Sequence, residues 1–201
     1  MRYGFLAIGA AAMLQLAGCG GAPDGAEAEA TGPQAAFMTT LQGKCGRAFR
    51  GKMVAGDNEE LADKELVLAI APCEPGGDVT MALHANIGPL QVSSDQEIWD
   101  RSRSITLSQS GDALMLTLGD HQQDGSAGPM QGFKAAAAGS GSDTRQSFAL
   151  PGAKQPLVID AATAVISLQI PTIGAAKGFG AEFGSSDRVA MPPPAWRQTG
   201  G

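Results

Sequence analysis

The residues able to do chemistry in this chain gather at the two ends of one segment, WDRSRSITLSQSGDALMLTLGDHQQDG, residues 99–125. Asp100, Arg101, Ser102 and Arg103 stand at its start, and Asp120, His121 and Asp124 at its finish. Ser102, His121 and Asp100 have the types of a nucleophile, a general base and a carboxylate that orients the base. Ser102 lies in strand-like sequence, however, and no Gly-x-Ser-x-Gly turn occurs to lift a serine out of the backbone. Asp120, His121 and Asp124, with His84, have the types of a metal site. Yet the two histidines form no close His-x-His or His-x3-His pair, and DHQQDG reads first as a turn. The sequence therefore predicts no catalytic residue, no metal and no cofactor. Arg101, Arg103, Asp120 and His121 remain as ligand-binding candidates, or as ion pairs that finish a sheet. The alternative is a small envelope hydrolase or metal-dependent enzyme using the Asp100/Ser102/His121 cluster.

Those two ends become neighbours only if the residues between them form a hairpin. A turn at Ser110-Gly111 sets Leu107 opposite Leu114 and Ile105 opposite Leu116. Farther out, Arg101 meets Asp120 on the same side, and Asp100 meets His121 on the other. A slip of one residue would set leucines against polar partners, so the alternation supports this pairing. Arg101 and Arg103 then share a face with Ile105 and Leu107 and point toward the rim of the core. A guanidinium there pairs with a carboxylate or receives an anionic group. His84 falls on the polar face of the run Val79–Leu83 and reads as a solvated or edge residue.

Alternation of period two extends well beyond this hairpin. It recurs at Phe49/Gly51/Met53, Leu66/Leu68/Ile70, Val79/Met81/Leu83, Phe148/Leu150, Ile166/Leu168/Ile170 and Phe179/Ala181/Phe183. Eight or nine short strands joined by Gly, Asp and Pro turns leave little room for crossover helices, so the connections are antiparallel. The prediction is a mainly β fold: a small up-and-down barrel of lipocalin-like form, with a β-sandwich as the alternative. Leu, Ile, Met and Phe would fill its interior or line an apolar pocket. Phe37, Leu41 and Cys45 recur every four residues and suggest a short helix from Phe37 to about Lys44. The run AAAAGSGSD, residues 135–143, reads as a loop or hairpin tip.

The N-terminus, MRYGFLAIGAAAMLQLAGCGG, carries one arginine, a short apolar run and a small-residue exit, the pattern of a secretory signal. Leu16-Ala17-Gly18-Cys19 matches a bacterial lipobox, which implies a lipidated Cys19. The predicted organisation is a signal peptide over 1–18, an acidic tether over 19–35, one β domain over 36–186 and a Pro-rich disordered tail over 187–201. Gly20 rather than Asp follows the cysteine, which favours the outer membrane, facing the periplasm. Cys45 and Cys73 are then left to pair as a disulfide in an oxidising compartment. With a net charge of −6 and no basic run interleaved with aromatics, nucleic acid is an unfavourable partner. The expected partners are the membrane, through the lipid, and a small apolar or anionic ligand or an envelope protein.

The pattern Leu41…Cys45-Gly46…Ala48-Phe49…Gly51, then Cys73, DRSR and DHQQDG, resembles a family of secreted bacterial proteins and lipoproteins of uncharacterised activity. The resemblance spans about Phe37 to Phe183 and implies one continuous domain with a disulfide. Family members often carry more His and Asp where Gln122 and Gln123 stand here.

Overall fold

A computed structural model describes residues 32–89, 97–110, 113–139 and 141–197. The signal peptide, Cys19, most of the tether, the Gly111 turn position and residues 198–201 lie outside the described residues. Among the described residues one helix, α1 (Pro33–Gln42), precedes ten strands. They are β1 (Arg47–Gly56), β2 (Leu66–Ile70), β3 (Val79–Pro89), β4 (Glu97–Ser110), β5 (Ala113–Asp120), β6 (Lys134–Ala136), β7 (Arg145–Phe148), β8 (Leu157–Asp160), β9 (Val165–Ile170) and β10 (Phe179–Val189). Each pairs antiparallel with its neighbours in one sheet, ordered β6-β5-β4-β3-β2-β1-β10-β9-β8-β7. A bridge between Ala137 and Phe148 brings the two edge strands together, so the up-and-down barrel is nearly closed. The loop expected over 135–143 thus contributes to that seam: Ala135 and Ala136 belong to β6, and Ala138 N–H donates to Ser147 C=O at 2.7 Å.

The inward positions make one continuous core in which Phe49, Leu68, Met81, Leu107, Leu116, Phe148, Leu168 and Phe183 are buried. A void of about 10 Å³ remains beside Leu68, Met81, Ile105, Leu118 and Leu168. That is room for roughly one water, so this part of the core is filled rather than open to an apolar guest. Phe183 packs so closely on β1 that a Cβ at position 51 would overlap its ring, which is why a glycine interrupts the apolar alternation there.

Helix α1 closes one end of the barrel with Phe37, Met38 and Leu41. It begins at Pro33, whose fixed φ suits a first helical turn, and so starts inside the predicted tether and stops two residues before Lys44. Gln34 Oε1 accepts from Leu114 N–H at 2.9 Å, and Gln42 Nε2 donates to Gly77 C=O at 2.9 Å. Just past the helix, the Cys45–Cys73 disulfide joins this end to the connection between β2 and β3. Closing a loop of that span stabilises by about 3–4 kcal/mol through the unfolded chain.

Two features of β4 differ from the expected hairpin. Its register with β5 is displaced by two residues: Leu107 faces Leu116, Ile105 faces Leu118, and Arg103, not Arg101, faces Asp120. A two-residue displacement leaves every side chain on its expected face, so apolar alternation is blind to it. The second feature is a bulge where β4 passes β3. Leu83 pairs with Arg103 but Ala85 pairs with Asp100, so Arg101 and Ser102 together oppose His84. The extra residue breaks the alternation. Asp100 and Arg103 are directed to the barrel's inner side, while Arg101 is carried to the outer wall.

That wall is covered. Asp187–Val189, predicted as the start of a disordered tail, complete β10, and residues 190–197 follow without helix or strand pairing and return to the barrel through Pro194, Ala195 and Trp196. Val189 and Ala195, with Trp99, pack on Ala48, Val67, Ala69 and Ala82, whose small side chains allow a close approach. Trp196 N–H donates to Arg101 C=O at 2.9 Å, Arg101 Nη1 donates to Pro194 C=O at 3.2 Å, and the guanidinium lies 5.6 Å from the Trp196 ring centre. His84, expected in solvent, is 0% exposed on this wall.

Candidate functional site

At the end opposite α1 no helix plugs the barrel among the described residues. The connections there are polar and of unequal length, and between them lies an open cleft of about 610 Å³. Its walls come from four places: Asn58, Glu59 and Glu60 after β1; Ile87, Asp100, Ser102 and Arg103 on the β3–β4 ribbon; Asp120 at the end of β5 with Gln122, Pro129 and Met130 beyond it; and Ala175–Lys177 before β10. Trp196 adds an aromatic side. The volume is that of a small-molecule site, and the lining mixes apolar surface with a few fixed polar groups.

Arg103 stands at the centre of this end. Its Nη1 bonds Asp100 Oδ2 at 2.7 Å, and Asp100 is itself held by Ser102 N–H on Oδ1 at 2.9 Å. The other guanidinium nitrogen, Nη2, reaches Glu60 Oε2 at 3.1 Å. The two contacts are unequal: Asp100 is largely enclosed, whereas the Glu60 side chain is 79% exposed. The first fixes the guanidinium; the second is an exposed pair of small energetic weight.

Asp120, 4% exposed, organises the loop that follows β5. Its Oδ2 accepts from Met130 N–H at 3.0 Å, and its backbone N–H donates to Gln131 Oε1 at 2.6 Å. Gly128 lies against the carboxylate so closely that a Cβ there would overlap it. Across the cleft, Lys177 Nζ donates to Asp57 C=O at 3.3 Å and lies 3.9 Å from the carboxylates of Asp57 and Glu59.

Of the four binding candidates read from the sequence, Arg103 and Asp120 therefore come together in the cleft. Arg101 is turned outward by the bulge and serves the C-terminal segment. His121 starts the loop beyond β5, with its N–H donating to Ser102 C=O at 3.0 Å and a bridge to Ala127, and is not among the cleft's lining residues. Asp100 uses its oxygens on Ser102 N–H and Arg103, so it orients a guanidinium rather than an imidazole. Asp124 accepts from both the amide and the hydroxyl of Ser126, which hold its carboxyl below the usual range and make it a turn residue. Among the described residues no group of three His, Cys, Asp or Glu is placed to hold a metal ion.

The sequence reading missed Asn58, Glu59, Glu60 and Lys177, which sit in polar connections with no spacing to mark them. It also missed Trp196, whose aromatic character in a Pro-rich end was the one available signal. Fold and cleft together define a nearly closed antiparallel up-and-down barrel, capped by a helix at one end and bearing an open polar-apolar site at the other. No family model, no curated protein and no solved structure matches this chain.

Proposed function

We propose that this chain is a lipid-anchored lipoprotein of the cell envelope, facing the periplasm from the outer membrane, whose β domain is a non-catalytic binding module. The observation that carries the reading is the open cleft at the end away from α1. The chain enters the fold through α1, so a lipid on Cys19 tethers the helical end and turns the cleft away from the bilayer.

The charges in the cleft favour a basic group on the ligand or partner. Four carboxylates, Glu59, Glu60, Asp100 and Asp120, face two cations, Arg103 and Lys177, and Arg103 is already engaged by two of those carboxylates. An incoming anion would meet this surplus, whereas an amine on an apolar body would find carboxylates beside Ile87, Met130 and Trp196. Calorimetric titration with octylamine and with octanoate tests this. Binding of the amine, weakened at least tenfold in Asp120→Asn, is expected. Binding of the acid alone reverses the charge assignment, and binding of neither removes the cleft as a small-ligand site. Anchoring is tested separately by labelling with an alkynyl fatty acid: Cys19→Ser should lose the label and leave the membrane fraction.

A further inference from the structure

The outer wall holds a group that the cleft does not explain. His84 is on the outward face of β3, because Leu83 and Ala85 on either side of it point into the core. Its neighbour across the sheet is Val67 on one side and the Arg101–Ser102 bulge on the other. An outward side chain in a barrel wall is fully enclosed only when something lies over the wall, and over this one lie Trp99 and Ala195, with Pro194 and Trp196 bonded to Arg101 in the bulge opposite His84. Enclosed in this way, the imidazole has no hydrogen-bond partner on Nδ1 or on Nε2 among the described residues. A neutral buried imidazole tolerates this at a cost; a protonated one does not.

The surrounding charges do not relieve the problem. From β4, the Arg101 guanidinium opposes a second positive charge, and Asp100, directed to the inner side, offsets it only in part. Beyond Val67, Arg50 is bonded to Glu65 at 2.6 Å and lies 4.0 Å from Asp187. The covering segment brings no carboxylate over this wall; its last described residue, Arg197, is another cation. Burial first and Arg101 second depress the imidazole from 6.5 to about 4.

The cover itself is lightly fastened. Among the described residues its polar contacts converge on one residue, Arg101: the amide of Trp196, the carbonyl of Pro194 and the indole face. Its apolar attachment is the packing of Ala195 on small side chains, next to Val189 at the end of β10. Segments with few buried contacts open before the body of a fold does. We propose that residues 190–197 form a proton-released clasp: closed over the β1–β4 wall while His84 is neutral, and lifted when His84 takes up a proton. Lifting hydrates the imidazolium, frees the Arg101 guanidinium from its indole, and leaves the ten strands paired.

Amide exchange on the full chain, followed from pH 7.5 to pH 4, tests the clasp against far-UV circular dichroism of the barrel. The Trp196 amide should lose its protection, relative to the intrinsic rate at each pH, while strand amides and the dichroism hold. In His84→Leu that loss should be absent. Protection of Trp196 that persists until the strands themselves unfold would overturn the clasp, as would an identical transition in His84→Leu. Should that variant fail to fold, Trp196→Ala provides the second arm. Its His84 titration, read from the imidazole proton resonances, should move from about 4 toward 6.5. An unmoved midpoint overturns the proposal.

Discussion

The two ends of this barrel are built on different terms. At the α1 end, three apolar side chains from one helix enter the core, two glutamines cap backbone groups of the barrel, and a disulfide fixes the connection. At the other end, four unrelated connections meet through charges and leave a cleft between them. One end is sealed by apolar burial, which is cumulative and indifferent to exact geometry. The other is arranged by directed bonds onto Arg103 and Asp120, which leave space wherever the bonds do not reach. Stability should therefore concentrate at the helical end, and chemical recognition at the end that stability leaves unfilled.

The sharpest way to break this contrast is at Phe37, 0% exposed under the helix. Phe37→Ala should lower unfolding free energy by about 3–5 kcal/mol in a denaturant titration. A loss near zero would mean that α1 is not the seal. Next comes the disulfide: replacing Cys45 and Cys73 together by serine should cost about 3–4 kcal/mol, with the midpoint shifted and the dichroism of the folded state kept. Between the ends lies the His84 wall, where the effect depends on pH. The folded protein binds this proton less tightly than the unfolded chain, so stability is greatest above pH 6.5 and falls as pH drops toward 4. The slope is at most about 1.4 kcal/mol per pH unit, and the loss ends at the cost of lifting the clasp, after which the hydrated imidazole titrates as it does in the unfolded chain. His84→Leu should flatten that part of the profile. The smallest effect belongs to the open end: Glu60→Ala removes an exposed pair and should change stability by no more than about 1 kcal/mol. A large loss there would show that the cleft's rim is structural after all.

Much of the barrel was legible because its long strands alternate cleanly; Leu114, Leu116 and Leu118 on β5 are one example. The strands that escaped notice lack that signature. β8 presents Leu157, Val158 and Ile159 in succession, all buried, and β6 is a lysine and two alanines. The hairpin was legible in its faces but not in its register, since a displacement of two residues preserves every apolar contact type. The bulge at Arg101–Ser102 left no trace in composition, and it decided which arginine reaches the cleft. A disordered tail was the natural reading of MPPPAWRQTGG, because a Pro-rich segment forms neither helix nor sheet. What that reading could not include is that a segment outside helix and sheet can still be bound by a wall of small side chains.

The placement of the sheet's seam has a consequence for how the chain comes together. β1 and β10, first and last in sequence, are paired side by side, while the two strands that meet only through a bridge, β6 and β7, are consecutive in the middle. One flank of β1 therefore stays without its partner until residue 179 and those after it have arrived. Local hairpins can form early, but the ring is completed by the contact of greatest separation along the chain, which loop-closure entropy makes slow. A chain stopped short of β10 would hold an open sheet with β1 at its margin, its backbone donors and acceptors free to join a neighbouring molecule. Completion of the last strand is thus the step at which this protein ceases to be adhesive to its own kind.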